Sequence, residues 1–153
     1  MVPAFMSDTA VFDIDRFAGD LQALASKTPE LSAVWIFGSA VRGALRFDSD
    51  VDVAVLFRRG VQDRDRLLAS FGARLETFSA PYPIDAVDLE VQGVIFAHEV
   101  LSNGRRVHEA DRDQRVDFES RTCVRAFDFR PTHDLAVRGQ RQGIQRRIRE
   151  LRP

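Results

Sequence analysis

Cysteine, lysine and long apolar runs are scarce in this chain of 153 residues, and their scarcity excludes several classes of protein. One cysteine, Cys123, leaves no internal disulfide framework and no zinc site built from clustered thiolates. Lys27 is the only lysine, so arginine supplies nearly all of the positive charge. The longest uninterrupted apolar runs have five residues, whereas a helix that crosses a bilayer needs roughly 20. The sequence therefore predicts no membrane-spanning helix.

Acidic and basic residues nearly balance, with a formal net charge of −1 and a pI near 6.3. This balance argues against a generally basic nucleic-acid binder, so no direct contact with nucleic acid is expected. Hydrophobic residues make up 44% of the chain and charged residues 29%, which favours one folded domain over disorder. The N-terminal residues lack a basic segment and include early aspartates, so we expect no secretory signal and a cytoplasmic location.

The charges are unevenly distributed along the chain. From Arg130 to the C-terminus there are seven arginines and two acidic residues, a local balance of +5. Such a segment either lies on an acidic surface or polyanion, or forms a solvated amphipathic helix, and the sequence leaves both open. We divide the chain into an N-terminal segment (1–12), a central domain (13–130) and an Arg-rich C-terminal helix (131–153).

The spacing of apolar residues predicts helices that alternate with short strands. Helices are expected over residues 13–27, 62–79, 92–102, 113–129 and 133–151. Strands are expected over residues 31–37, 50–57 and 84–90, with a further short strand over 105–109. On the helix 113–129, one side carries Val116, Cys123, Val124 and Phe127. This order is typical of an α/β (α+β) fold in which helices flank a small, mostly buried mixed sheet.

The most informative stretch lies between the first two predicted strands. Gly38-Ser39 ends one strand, ten residues follow, and Asp50-Val51-Asp52 opens the next. Residues two apart on a strand share a face, so the Asp50 and Asp52 carboxylates are expected to lie side by side. Adjacent carboxylates repel each other unless a cation compensates them, and Mg²⁺ binds both carboxylate and phosphate oxygens. The simpler interpretation makes Asp50 a turn residue and Asp52 a solvent-facing edge residue.

Gly38, Ser39 and Arg42 form a candidate anion site on the other side of this stretch. Glycine after a strand permits a ligand to approach the backbone closely. Free amides at the start of a following helix, together with the Ser39 hydroxyl, are suited to phosphate oxygens. Arg42 lies three residues further on and would reach the same anion. The pattern predicts a triphosphate held opposite metal-binding carboxylates, although Gly38-Ser39 alone could be a tight turn.

The third predicted strand offers one more carboxylate. Asp85 and Asp88 are three residues apart, so on one strand they point to opposite faces and only one of them can join Asp50 and Asp52. We favour Asp85 and keep Asp88 as the alternative. A carboxylate at this position would bind a second metal ion or take the proton from an attacking hydroxyl.

The combination of Gly-Ser with Asp-x-Asp resembles the nucleotidyltransferase superfamily that includes polymerase beta. More narrowly, the chain resembles the minimal nucleotidyltransferases and, among them, the MntA-type antitoxins of HEPN/MNT toxin–antitoxin pairs. The resemblance covers about residues 10–140 and includes the segments GSAVRG, DSDVDVAVLF, IDAVDL and HEVLSNGRRVHE. It implies a polymerase-beta-like nucleotidyltransferase fold.

The resemblance also implies roles for individual residues. Asp50 and Asp52 would bind metal, Asp85 would be the third carboxylate, and Gly38 and Ser39 would contact the nucleotide phosphates. The implied reaction transfers AMP from ATP, with Mg²⁺, to a tyrosine of a partner HEPN toxin, an RNase that is silenced by the modification. Two other functions stay open: nucleotidyl transfer to a small molecule such as an aminoglycoside, and a non-catalytic antitoxin that acts by binding.

Overall fold

Four α-helices and four strands make up residues 11–129, the part of the chain that the computed structural model describes. The elements are α1 (Ile14–Ser26), β1 (Leu31–Phe37), β2 (Val51–Phe57), α2 (Arg64–Ser79), β3 (Ile84–Asp88), α3 (Val94–Asn103) and β4 (Arg105–Glu109). A short 3₁₀ helix, Leu89–Val91, follows β3, and α4 covers residues 112–129. None of the helices in this part of the chain combines the length and the apolar character needed to pass through a membrane.

The four strands form one mixed sheet in the order β3-β2-β1-β4. β1 pairs antiparallel with both β2 and β4, whereas β2 and β3 run parallel. The two most apolar strands, β1 and β2, thus take the central positions, where they are almost entirely buried. The order also leaves β3 at one edge of the sheet.

Helices cover both faces of the sheet. On one face, Val53 packs in a cluster with Phe17 of α1 and Phe71 of α2. On the other face, Trp35 packs in a cluster with Phe118 of α4, and residues of α3 complete it. Successive residues of a strand point to opposite faces, so the residues of β2 alternate between the two clusters. Val53 and Val55 belong to the first cluster, and Ala54 and Leu56 belong to the second.

Side-chain caps set the ends of two elements. The Asp13 carboxylate accepts the amides of Asp15 and Arg16 at 3.1 and 3.0 Å and thereby starts α1. The Asp88 carboxylate accepts the amide of Glu90 at 3.0 Å and starts the 3₁₀ helix. This cap explains why β3 ends at Asp88, two residues earlier than the sequence predicts.

The predicted α/β class is confirmed, and the helices and strands predicted within the described residues lie within a few residues of the observed ones. Two features differ. Residues 38–43 form consecutive turns, where the sequence suggested the start of a helix. On α4, Val124 and Phe127 are 63% and 65% exposed, so the apolar side identified from the sequence is not the one that packs against the sheet. The Arg-rich helix predicted over 133–151 lies outside the described residues.

Candidate active site

Asp52 and Asp85 lie next to each other on neighbouring strands. The parallel register of β2 and β3 pairs Val51 with Ile84 and Asp52 with Asp85. One residue before this pair, the Val51 amide donates a hydrogen bond to the Pro83 carbonyl, with an N–O distance of 2.8 Å. Residues that are paired across adjacent strands point to the same face of the sheet. The two carboxylates are therefore held side by side where β2 and β3 begin.

Gly38 provides the space that the Asp52 carboxylate occupies. β1 runs antiparallel to β2, so its last residue, Phe37, lies opposite Asp52 and Gly38 follows immediately. Gly38 has a φ of +71°, and a Cβ built on it would lie 2.1 Å from Oδ2 of Asp52. Glycine is needed here both for the left-handed backbone and for the close approach. A side chain at this position would displace the carboxylate.

Asp50 and Arg42 complete the electrostatic surroundings of Asp52. Burial is the main cause that raises the pKa of Asp52, and the negative charges of Asp85 and Asp50 raise it further. The positive charge of Arg42 lowers the pKa, but it acts without a hydrogen bond to the carboxylate. The structure thus brings together the four charged residues that the sequence singled out, with more negative than positive charge among them.

The turns after β1 place Ser39 and Arg42 at the edge of this cluster. The Ala44 amide donates to the Ser39 carbonyl at 2.9 Å, and Gly43, with a φ of +67°, lets the chain reverse. Ala40 is buried in the core and anchors the turns to the sheet. Ser39 is half-buried and Arg42 is exposed, so the anion site predicted from the sequence is a loop rather than a helix end.

The carboxylates do not form a closed metal cage. Within residues 11–129, no three His, Cys, Asp or Glu side chains are grouped so that they alone could hold a metal ion. Mg²⁺ commonly binds one or two carboxylates and completes its coordination with water and substrate phosphates. A cation near Asp52 would also offset the repulsion that raises its pKa. The donor set therefore fits a magnesium ion that arrives with a phosphate-bearing substrate.

Asp88 lies on the opposite face of β3 and belongs to the fold. It is 4% exposed, and a nitrogen of the Arg64 guanidinium lies 3.4 Å from its carboxylate. Arg64 also pairs with Glu90, whose amide Asp88 caps. Burial raises the pKa of Asp88, and its hydrogen bonds and Arg64 act against that rise. Of the two candidates on this strand, Asp85 is thus the one beside Asp52.

Two clefts border the carboxylates, and the sequence indicated neither of them. The first has a volume of about 450 Å³ and lies between Gly38 and α3, and its walls include Phe96 and Glu99. The second has a volume of about 410 Å³ and lies between α2 and β3, next to Asp85. No local pattern could join Gly38 to α3, because nearly sixty residues separate them in the chain.

A larger cavity lies away from the carboxylates. It has a volume of about 640 Å³ and is lined by Arg58, Asp111 and neighbouring residues near the end of β2 that is opposite Asp52. Arg58 and Asp111 form an ion pair at 3.9 Å across it. A second ion pair, between Arg59 and Asp117, also lies in its lining.

Comparison with solved structures supports the same fold. One chain of a toxin–antitoxin complex with AMP-PNP is 20% identical, with a TM-score of 0.56, and the match covers 86% of this chain and 97% of that chain. A chain of the complex between an AMPylated HEPN toxin of Shewanella oneidensis and MNT antitoxin is 19% identical, with a TM-score of 0.51. The match covers 86% of this chain and 95% of that chain. A protein described as a minimal nucleotidyltransferase is 27% identical (TM-score 0.51; 62% and 96% covered).

Sequence comparison identifies the family. Curated protein sequences give no match to this chain. The family model described as polymerase beta, nucleotidyltransferase, matches residues 20–113. These residues include the Gly38 turn, both strands that carry Asp52 and Asp85, and the α3 wall of the first cleft. The chain belongs to the polymerase beta nucleotidyltransferase family.

Proposed function

We propose that this protein is an antitoxin that transfers AMP from ATP to a tyrosine of a partner HEPN-family RNase toxin. The observation that carries the proposal is the pair of carboxylates, Asp52 and Asp85, fixed beside Gly38 in a nucleotidyltransferase domain. Two solved relatives support the choice of nucleotide and partner: one toxin–antitoxin complex contains AMP-PNP, and another contains an AMPylated HEPN toxin.

The residues of the site divide the work in this proposal. Asp50 and Asp52 would hold Mg²⁺, which when bound would neutralise phosphate charge and lower the pKa of the acceptor hydroxyl. The backbone at Gly38, with no Cβ in the way, lets the phosphates come close to Asp52. The Ser39 hydroxyl donates to a phosphate oxygen, and Arg42 adds the positive charge that the carboxylate cluster lacks.

The reaction is an in-line displacement at the α-phosphorus. The tyrosine oxygen forms a bond to phosphorus, the bond to the oxygen that bridges to the β-phosphate breaks, and pyrophosphate leaves with that electron pair. Asp85 is exposed on the edge strand β3, where a tyrosine of a second protein can reach it. Its carboxylate either accepts the phenolic proton or helps to hold the metal. Positioning and charge neutralisation supply most of the rate enhancement in such transfers.

Intact-mass spectrometry of the partner tests this proposal. The purified protein is incubated with the HEPN chain, ATP and Mg²⁺, and the partner is expected to gain adenylyl groups that map to a tyrosine. Asp50→Ala should abolish this gain. Neutralisation of the partner without any mass change would instead indicate an antitoxin that acts by binding. Labelled AMP on an aminoglycoside but not on the partner would indicate a small-molecule enzyme.

A further inference from the structure

The cleft between Gly38 and α3 continues directly from the carboxylate cluster. Gly38 contacts the Asp52 carboxylate and also lines the cleft, and Arg42 lines the cleft while its charge acts on Asp52. A triphosphate bound at Gly38 and Arg42 would therefore have its nucleoside end next to this cleft. The volume of about 450 Å³ lies in the range of small-molecule sites.

We propose that this cleft binds the purine base of the nucleotide, with Phe96 stacking on the ring and Glu99 selecting for the 6-amino group of adenine. The inference rests on the proposed function, since it places the base of the same nucleotide whose phosphates lie at Gly38. It assigns α3 a task that neither the sequence motif nor the family match gives it.

Phe96 supplies an exposed aromatic surface. Its ring packs edge-on against Phe37, with centroids 5.5 Å apart and an interplanar angle of 90°. Phe96 is still 39% exposed, whereas Val100, one turn further along α3, is buried beneath the cleft. An edge-on contact fixes the orientation of the ring and leaves a face available. Stacking of a base on such a face is favourable for every base and does not by itself select one.

Selectivity comes from the polar wall of the cleft. The Asn103 amide nitrogen donates to Oε1 of Glu99 at 2.7 Å, which holds both side chains in place on α3. The second carboxylate oxygen of Glu99 remains as an acceptor, and a carboxylate accepts hydrogen bonds but donates none. It therefore matches an exocyclic amino group and repels a carbonyl oxygen. Adenine carries an amino group at position 6, whereas hypoxanthine carries a carbonyl there.

The cleft beside α2 does not suit the nucleotide. Its charged lining residues are Asp65, Glu76 and Asp85, and no basic side chain from the described part of the chain lines it. The cleft at Gly38 is lined by Arg42, whereas the cleft beside α2 offers a triphosphate three carboxylates and no such positive charge from the described residues. Glu76 provides a matched control for Glu99, because both are exposed glutamates on helices that border the carboxylate cluster.

Equilibrium binding by calorimetry tests the assignment, with the full chain, Mg²⁺ and no acceptor. The ligands are ATP, inosine triphosphate and inorganic tripolyphosphate. The wild type should bind ATP about tenfold more tightly than inosine triphosphate, because only the former offers an amino group to Glu99. Glu99→Gln should reduce this preference to less than about threefold, whereas Glu76→Gln should leave it unchanged. Phe96→Leu should weaken both nucleoside triphosphates about fivefold or more.

Tripolyphosphate separates loss of base recognition from damage to the site. Its affinity should be the same in the wild type, Glu99→Gln and Phe96→Leu, since it has no base. Equal affinity of the wild type for ATP and inosine triphosphate would overturn the proposal and leave the proposed function intact. The base site would also be overturned if Glu76→Gln altered the preference, or if tripolyphosphate binding fell in parallel with ATP binding. Failure of the wild type to bind any nucleotide would overturn the base site and the proposed function together.

Discussion

Two acidic clusters on opposite faces of β3 differ in how they are neutralised. On one face, Asp88 is buried against the Arg64 guanidinium at 3.4 Å and caps the backbone of Glu90. On the other face, Asp52 has Asp85 and Asp50 as negative neighbours, and the charge of Arg42 opposes them without a hydrogen bond. Each cluster has one arginine, but only the first has it as a direct partner.

The difference is the one expected between a carboxylate that serves the fold and one that would bind a ligand. A buried charge with a hydrogen-bonded partner is compatible with a stable native state. Carboxylates that repel each other beside a cleft cost stability, and a bound cation recovers it. In this molecule the unneutralised cluster contains the Asp50 and Asp52 pair that the sequence singled out, and the neutralised one does not. Substitutions on the two faces should therefore have opposite consequences for activity and stability.

The largest effect is expected for neutralisation of Asp52. Asp52→Asn should lower AMP transfer about a thousandfold or more, because several kcal/mol of barrier lowering depend on this carboxylate and each 1.36 kcal/mol is about tenfold in rate. The free energy of unfolding at neutral pH should stay the same or increase, because the folded protein raises the pKa of Asp52 and so disfavours its charged form. Labelled-ATP assays and denaturant titration measure the two quantities. A clear fall in the free energy of unfolding of this variant would contradict the difference described between the Asp52 and Asp88 clusters.

A pair of glycine substitutions tests the close approach at Gly38. Gly38 and Gly43 have similar positive φ values, +71° and +67°, so alanine should cost about 1–2 kcal/mol of backbone strain at either position. Only at Gly38 would the new Cβ meet Asp52; at Gly43 nothing lies within 4 Å. Gly38→Ala should therefore lower AMP transfer at least about a hundredfold, and Gly43→Ala less than about tenfold. Equal losses of activity in both variants would mean that the contact with Asp52 has no role.

Removal of Asp88 should affect stability rather than activity. Asp88→Ala deletes one of the two acidic partners of Arg64 and the cap of the 3₁₀ helix, so the free energy of unfolding should fall by about 1–3 kcal/mol. Asp88→Asn keeps an oxygen that can accept the Glu90 amide and should lose less. AMP transfer per folded molecule should remain within about threefold of the wild type in both. A loss of AMP transfer as large as that of Asp52→Asn would show that activity does not depend on the Asp52 face of the sheet alone.

The smallest effect is a pH dependence at the other edge strand. His108 of β4 is half-buried near Arg58, and burial first and this positive charge second lower its pKa below the ordinary value. The unfolded chain therefore takes up a proton before the folded one, so stability should fall as the pH drops from about 7 to 5. His108→Gln should make this fall shallower, and thermal unfolding across the range measures it. An identical pH profile in the variant would contradict the assignment to His108.

Much of the fold could be predicted from the sequence because its strong signals are local. The apolar runs at 33–37 and 53–57 predicted buried strands, which the structure confirms, and the three-residue spacing of Asp85 and Asp88 already placed them on opposite faces. The same alternation put Asp50 and Asp52 on one face, but it left open whether Asp85 or Asp88 joins them, and the register of β2 and β3 decides for Asp85. Their catalytic roles stay a prediction that the experiments above address.

Features that depend on packing could not be predicted in the same way. The turns at 38–43 looked like a helix start because nothing local shows that the Ser39 carbonyl takes the Ala44 amide. On α4, periodicity yields two apolar sides, and only the sheet beneath decides that Phe118 is buried and Phe127 is not. The cleft walls on α3 were missed for the same reason, since tertiary structure alone brings Phe96 to Phe37.

A crystal structure with AMP-PNP and Mg²⁺ tests most directly whether Asp52 and its acidic neighbours hold a magnesium-bound nucleotide. We expect the phosphates between Gly38 and Arg42, a magnesium ion bound by Asp52 and at least one of Asp50 and Asp85, and the α-phosphate accessible from the β3 edge. A nucleotide bound elsewhere on the domain, or an ion without contact to Asp52, would contradict this arrangement.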